Sequence, residues 1–137
     1  MIRRHFLTFT AAAAALAALT PALARAGSYL DRAALMLEES RKEIEMVKTR
    51  TSDKEVLLVV KALTEARLKV ARKMNVPAKV VAAHPHLMLV LENHDRAVDS
   101  LISGNTKKYA ECLITAASEE STFRTLLKDA GYSLPKL

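Results

Sequence analysis

Leu87-Met88-Leu89-Val90-Leu91-Glu92-Asn93-His94-Asp95-Arg96-Ala97-Val98-Asp99-Ser100-Leu101-Ile102-Ser103-Gly104-Asn105 decides the fold class. Apolar side chains recur at 87, 90, 91, 98, 101 and 102, the three-and-four spacing that gathers them on one face of an α-helix. Ser103-Gly104-Asn105 then ends the helix with residues that tolerate a left-handed backbone. Val80 and Ala83 extend the same stripe backwards, and Pro85 either kinks this helix or sets its true start near His84. Beyond the turn, Tyr109, Cys112, Leu113, Ala116, Phe123, Leu127 and Ala130 repeat the pattern until Gly131 closes it.

The two preceding segments have the same period. A first helix is expected from about Ser28 to Arg50 on Leu30, Ala33, Leu37, Ile44 and Val47. Ser52-Asp53 offers the N-cap of a second, whose expected stripe is Val56, Val59, Val60, Leu63, Ala66, Val70 and Met74. Asn75-Val76-Pro77 breaks the chain, with Pro77 suited to the first turn of the third helix. No alternating apolar run competes, so the chain is all-α. Short joints between four helices of this length imply an antiparallel up-down-up-down four-helix bundle over residues 27–137.

Ahead of the bundle, Arg3-Arg4-His5-Phe6-Leu7 leads into the apolar stretch Phe6–Leu19 and the small residues Ala22, Ala24 and Ala26. This n-, h- and c-region order is that of an export signal over residues 1–26, with cleavage after Ala24 or Ala26. Arg3, Arg4, Phe6 and Leu7 resemble the core of a twin-arginine signal peptide, whereas Ile2 and Thr8 depart from it. The resemblance implies engagement of the export machinery, passage as a folded protein and a periplasmic destination. The apolar run falls short of the ~20 residues of a spanning helix, so no stable membrane anchor is expected.

Removing that segment changes the electrostatics. Lys+Arg falls from 21 to 18 against 15 acids, a net charge of +3 dispersed along every helix. Nucleic acid, which calls for a clustered basic face, is not an expected partner. A single cysteine, Cys112, excludes an internal disulfide, a multi-cysteine zinc site and an iron–sulfur cluster. No Gly-rich phosphate loop or Ser-His-Asp arrangement is readable, which argues against an enzyme.

Polar residues inside apolar stripes are the candidate site residues, because burying them costs free energy unless they find partners. His94 shares the stripe of Leu87 and Leu101 and is expected level with Cys112. Imidazole and thiolate there either hold copper, zinc or haem iron, or form a core histidine bonded to a carbonyl or serine beside a small buried thiol. Arg67 is expected level with Glu120, Met36 and Met88, either as a buried ion pair fixing helix register or as an anchor for a ligand carboxylate. His84 and Met88, one turn apart, offer a third pair suited to copper, with His86 pointing elsewhere.

In helix lengths and layout, residues 86–130 are similar to the cytochrome b562 type of exported bundle. That resemblance assigns Met36 to the haem methionine. The last turns of the fourth helix carry Arg124 and Lys128 where the family has its histidine, so the haem site does not transfer. Copper-storage bundles fill their core with cysteines, and c-type cytochromes need Cys-x-x-Cys-His; neither pattern is present. Ferritin-like di-iron proteins need Glu-x-x-His pairs, which Glu92 and Asp95 do not supply. Leu58 and Leu89 fall opposite their core stripes, flanked by Leu57, Leu68 and Val81, and predict an apolar patch for a homodimer or a partner helix. Two functions follow as expectations: an exported, non-catalytic carrier or sensor of a metal ion or haem-like cofactor, or a cofactor-free interaction or accessory protein.

Overall fold

A computed structural model describes the backbone of residues 10–137 and the side chains of residues 27–137. The features assigned to the export signal, Arg3, Arg4, Phe6, Leu7 and the cleavage-site alanines, lie outside the residues so described. Four α-helices are formed, α1 (Thr10–Lys48), α2 (Lys54–Arg72), α3 (His84–Ile102) and α4 (Thr106–Asp129), with a 3-10 turn at Ala78–Val80. No strand occurs among the described residues, and the chain is all-helical as its periodicity dictates. α1 passes through the expected start near Ser28 without a break.

Local chemistry fixes the joints. Asp53 caps α2 by accepting a hydrogen bond from the Val56 N–H at 3.2 Å, and Asn105 caps α4 by accepting from the Lys108 N–H at 3.0 Å. Asp53→Ala should therefore lower stability by about 1 kcal/mol in urea unfolding, the usual cost of losing such a cap, while Asp53→Asn should stay close to wild type. Gly104 ends α3 at φ 75°, where the Asn105 N–H reaches the Ser100 carbonyl at 2.7 Å. Gly131 (φ 88°) and the Tyr132 N–H bond to Leu127 do the same for α4. Pro85 occupies the first turn of α3, where its missing N–H costs nothing, so the helix starts at His84 and is not kinked there. Pro77 does not open α3 as expected; it precedes the 3-10 turn, and Val81–Ala83 separate the two.

α2 corrects the sequence reading most. Its buried face is Leu57, Val60, Thr64, Leu68 and Ala71, while Val59, Leu63, Ala66 and Val70, expected in the core, point to solvent. Apolar residues occur on both sides of this helix, so periodicity alone admits either face. Lys61 and Arg67 border the buried face, and their ion pairs select it.

The apolar core is divided. One cluster at the Tyr29 end gathers Leu37, Leu68, Leu87, Val90 and Phe123; the other, at the Gly104 end, gathers Val47, Leu57, Val60, Val98 and Cys112. Between them every one of α1, α2 and α3 contributes polar side chains: Ser40 and Glu43, Thr64 and Arg67, and Asn93, His94 and Asp95.

Candidate functional site

This polar belt holds most of the site residues expected from the sequence, but with different partners. Arg67 does not meet Glu120. Its Nη1 and Nη2 donate to Glu43 Oε2 and Oε1 at 2.6 and 2.5 Å, a bidentate pair with side chains only 12% and 8% exposed. Glu120 instead accepts from Arg41 at 3.1 Å and from Arg124 at 3.3 Å at the surface of α4. The long guanidinium stem lets Arg67 line a groove with Met36 while its head reaches Glu43, about two turns further along α1 than helix levels alone suggest.

His94 is mostly buried, and its Nδ1 shares a hydrogen bond with Ser40 Oγ. The serine-bonded core histidine is thus the arrangement formed. Burial lowers its pKa to about 4; Glu120 pulls upward, and the Arg67 and Arg41 charges push further down. Cys112 is a free, buried thiol among the apolar residues of the Gly104-end cluster. Thr64 Oγ lies 2.6 Å from Asp95 Oδ1, and Lys61 bridges Asp95 at 2.8 Å and Asp99 at 2.7 Å. Burial works against the Lys61 ammonium, but the hydrogen bonds and charges of the two aspartates outweigh it and hold its pKa above the ordinary lysine value. Asn93 donates to the Leu89 carbonyl at 2.8 Å.

At the other end of the core, His84 Nδ1 lies 3.0 Å from the Tyr29 hydroxyl, and the ring also bonds the Ala71 backbone. Burial lowers the His84 pKa and raises that of Tyr29. Met88 packs against the surrounding apolar cluster, and His86 pairs with Glu119 at 2.6 Å on a different face. A cavity of about 650 Å³ opens beside Tyr29, Arg32 and Asn75, and none of the predicted ligands lines it. Among the described residues, no three His, Cys, Asp or Glu side chains converge as a metal-binding group.

Sequence reasoning missed Tyr29, Ser40, Glu43, Lys61 and Thr64. Glu43 was hidden in the run Glu38–Glu45, which has the composition of a solvated face. Its position one turn before Val47, which is fully buried, is the signal that separates it from its neighbours.

The exposed apolar patch is likewise displaced. Leu58 and Val81 are 60% and 54% exposed as expected, but Leu57 and Leu68 are buried and Leu89 is half-buried, so only part of the expected Leu58/Leu89 patch is exposed. A row on α2 replaces it: Val59, Leu63, Ala66 and Val70, with Leu35 of α1 alongside. Leu35, Met36, Leu63, Ala66 and Val70 line a shallow groove of about 280 Å³ between the two helices, floored at one end by the stem of Arg67. Comparison of the chain with family models, curated proteins and solved structures finds no match.

Proposed function

We propose that this is an exported, non-catalytic interaction protein whose α1/α2 face receives an apolar helical surface. The observation that carries the reading is the row Val59, Leu63 and Val70, 61%, 45% and 56% exposed, on a helix whose opposite side is already buried. Its first turns, Val56–Val60, are apolar on every side, a pattern of helices covered all round. An apolar row at i, i+4, i+7 and i+11 beside a shallow groove suits a helix laid along it. A cofactor-carrying role has less support, because Arg67, Glu120, His84 and His94 are each engaged by another side chain.

The proposed architecture is the antiparallel up-down-up-down bundle. Two kinds of pairing support it: Tyr29–His84 and Ser40–His94 advance together along α1 and α3, whereas Thr64–Asp95 and Lys61–Asp99 run oppositely along α2 and α3. Export to the periplasm rests on the twin-arginine-like start of the chain.

The reading is tested with the full chain in cells that export it, carrying a photoreactive phenylalanine analogue at position 59. A discrete adduct that disappears with Leu63→Glu is expected. A probe at Lys107, on the exposed start of α4, serves as the control. If position 59 gives no adduct above that control, the α1/α2 face is not an interaction surface.

A further inference from the structure

Resting on that interaction reading, we propose that the occupant of the α1/α2 face is a second copy of this chain, with the two α2 helices packed antiparallel about a two-fold axis level with residues 64 and 65. The exposed row Val59, Leu63, Ala66 and Val70 has steps of four, three and four residues, so it reads the same in both directions. Reversing one copy sets Val59 against Val70 of the other, and Leu63 against Ala66. A large side chain then faces a small one twice, which is how close-packed helix surfaces interdigitate. The row extends about 16 Å at the helical rise of 1.5 Å per residue, long enough for a self-complementary seam.

Charge selects the same arrangement. Glu55 and Lys73 are eighteen residues apart, which is five full helical turns, so they lie on one flank of the row. A two-fold axis perpendicular to both helices keeps that flank on the same side in each copy. Glu55 of one copy therefore stands level with Lys73 of the other, and the pair occurs twice. Among the described residues, neither Glu55 nor Lys73 has an ion-pair partner within its own chain, although eleven other acidic residues do. A parallel packing, whose two-fold axis runs along the helices, would instead carry the flank to opposite sides of the seam in the two copies and leave Glu55 and Lys73 at opposite ends, so neither pair would form. Opposed helix dipoles favour the antiparallel form as well.

Sedimentation velocity of the full chain over a dilution series is the test. A reversible dimer is expected. Leu63→Glu, at an exposed position that leaves the helical circular dichroism unchanged, should weaken it by roughly a hundredfold or more, because a carboxylate would be buried in an apolar seam. Glu55→Lys alone should weaken it by about tenfold, and adding Lys73→Glu should restore it, since the two flank pairs are then rebuilt with reversed sign. The doubly substituted chain Leu63→Cys with Ala66→Cys should form an intermolecular disulfide on mild oxidation, with Cys112 remaining buried. A monomer at all concentrations, a dimer indifferent to Leu63→Glu, or failure of Lys73→Glu to rescue Glu55→Lys would each overturn the proposal. A monomer that still gives the position-59 adduct with a different protein keeps the interaction reading and removes the second copy. A monomer with no adduct removes both.

Discussion

Arg67→Ala is expected to destabilise the fold by about 3–5 kcal/mol, the cost of stripping one partner from a buried ion pair. Glu43 is 6% exposed and its two carboxylate oxygens are each bonded to a guanidinium nitrogen, so its charge has no other described partner when Arg67 is gone. The loss arises from the stranded carboxylate more than from the missing bonds. Arg67→Lys should recover little, because one ammonium cannot satisfy both oxygens in the fork geometry. Replacing both residues, Glu43→Leu with Arg67→Met, should return stability to near wild type or above it, since two desolvated charges are exchanged for apolar volume between two existing apolar clusters. Urea unfolding of the four chains gives the comparison. In a domain of this size the single variant should also melt more than about 12 °C lower. A loss under about 1 kcal/mol for Arg67→Ala would mean that the carboxylate reaches solvent or a second cation, and the belt would then not be a buried ionic layer.

The double replacement also exposes what the ion pair is for. A core that is apolar at both ends and polar in the middle has one register in which Glu43, Arg67, Thr64, Asp95, Ser40 and His94 all find partners. Sliding α2 by one turn leaves the charges unmatched in an apolar setting. If the apolar double variant is as stable as wild type but less uniquely packed, the belt acts as a specifier of helix register.

How far the chain discloses this arrangement differs from element to element. The all-helical class, the Asp53 cap, the Gly104 and Gly131 stops and most of the core stripes of α1, α3 and α4 follow from period and end chemistry, although Ile102, placed in the α3 stripe, is 43% exposed and Asn105, expected only to end α3, also caps α4. α2 does not yield to the same reasoning. Val56-Leu57-Leu58-Val59-Val60 is apolar in every direction, so the choice of inner face rests on where Lys61, Thr64 and Arg67 find opposite charges on other helices. That information is tertiary. The mistaken face of α2 and the mistaken patch are one error, since turning the helix inward at Leu57 and Leu68 turns Val59, Leu63 and Val70 outward. His94 was legible as a polar residue in a buried stripe, and Ser40 was not, because a serine in a helix is as easily solvent-facing as buried. The pairing of Arg67 with Glu43 depends on the reach of a long side chain, which helix levels do not convey.

Acid should weaken the fold through His94, and the sign follows from the direction of its shift. Burial holds the folded pKa at about 4, below the ordinary histidine value of 6.5, so the native state keeps the ring neutral where the unfolded chain takes up a proton. Above pH 6.5 the ring is neutral in both states and its protonation does not affect stability. Between pH 6.5 and 4 the unfolded state binds the extra proton, and stability falls by up to about 3 kcal/mol from this residue alone. Below pH 4 both states are protonated and the loss levels off. His84, lowered by its own burial, acts in the same direction. A protonated His94 would also lie near the Arg67 and Arg41 guanidinium groups, with Glu120 as the compensating charge, so the belt that is matched at neutral pH gains an unmatched cation in acid. Urea midpoints measured from pH 7.5 to pH 4 should drop for the wild-type chain, while His94→Asn, which keeps a hydrogen-bonding atom for Ser40 and cannot titrate, should lose some stability at pH 7.5 but show a visibly shallower decline. Following the His94 ring protons by NMR over the same range locates its titration in the folded state. A folded pKa at or above 6.5, or equal acid limbs for wild type and His94→Asn, would mean that the ring is solvated and that the polar belt is open to water at α3.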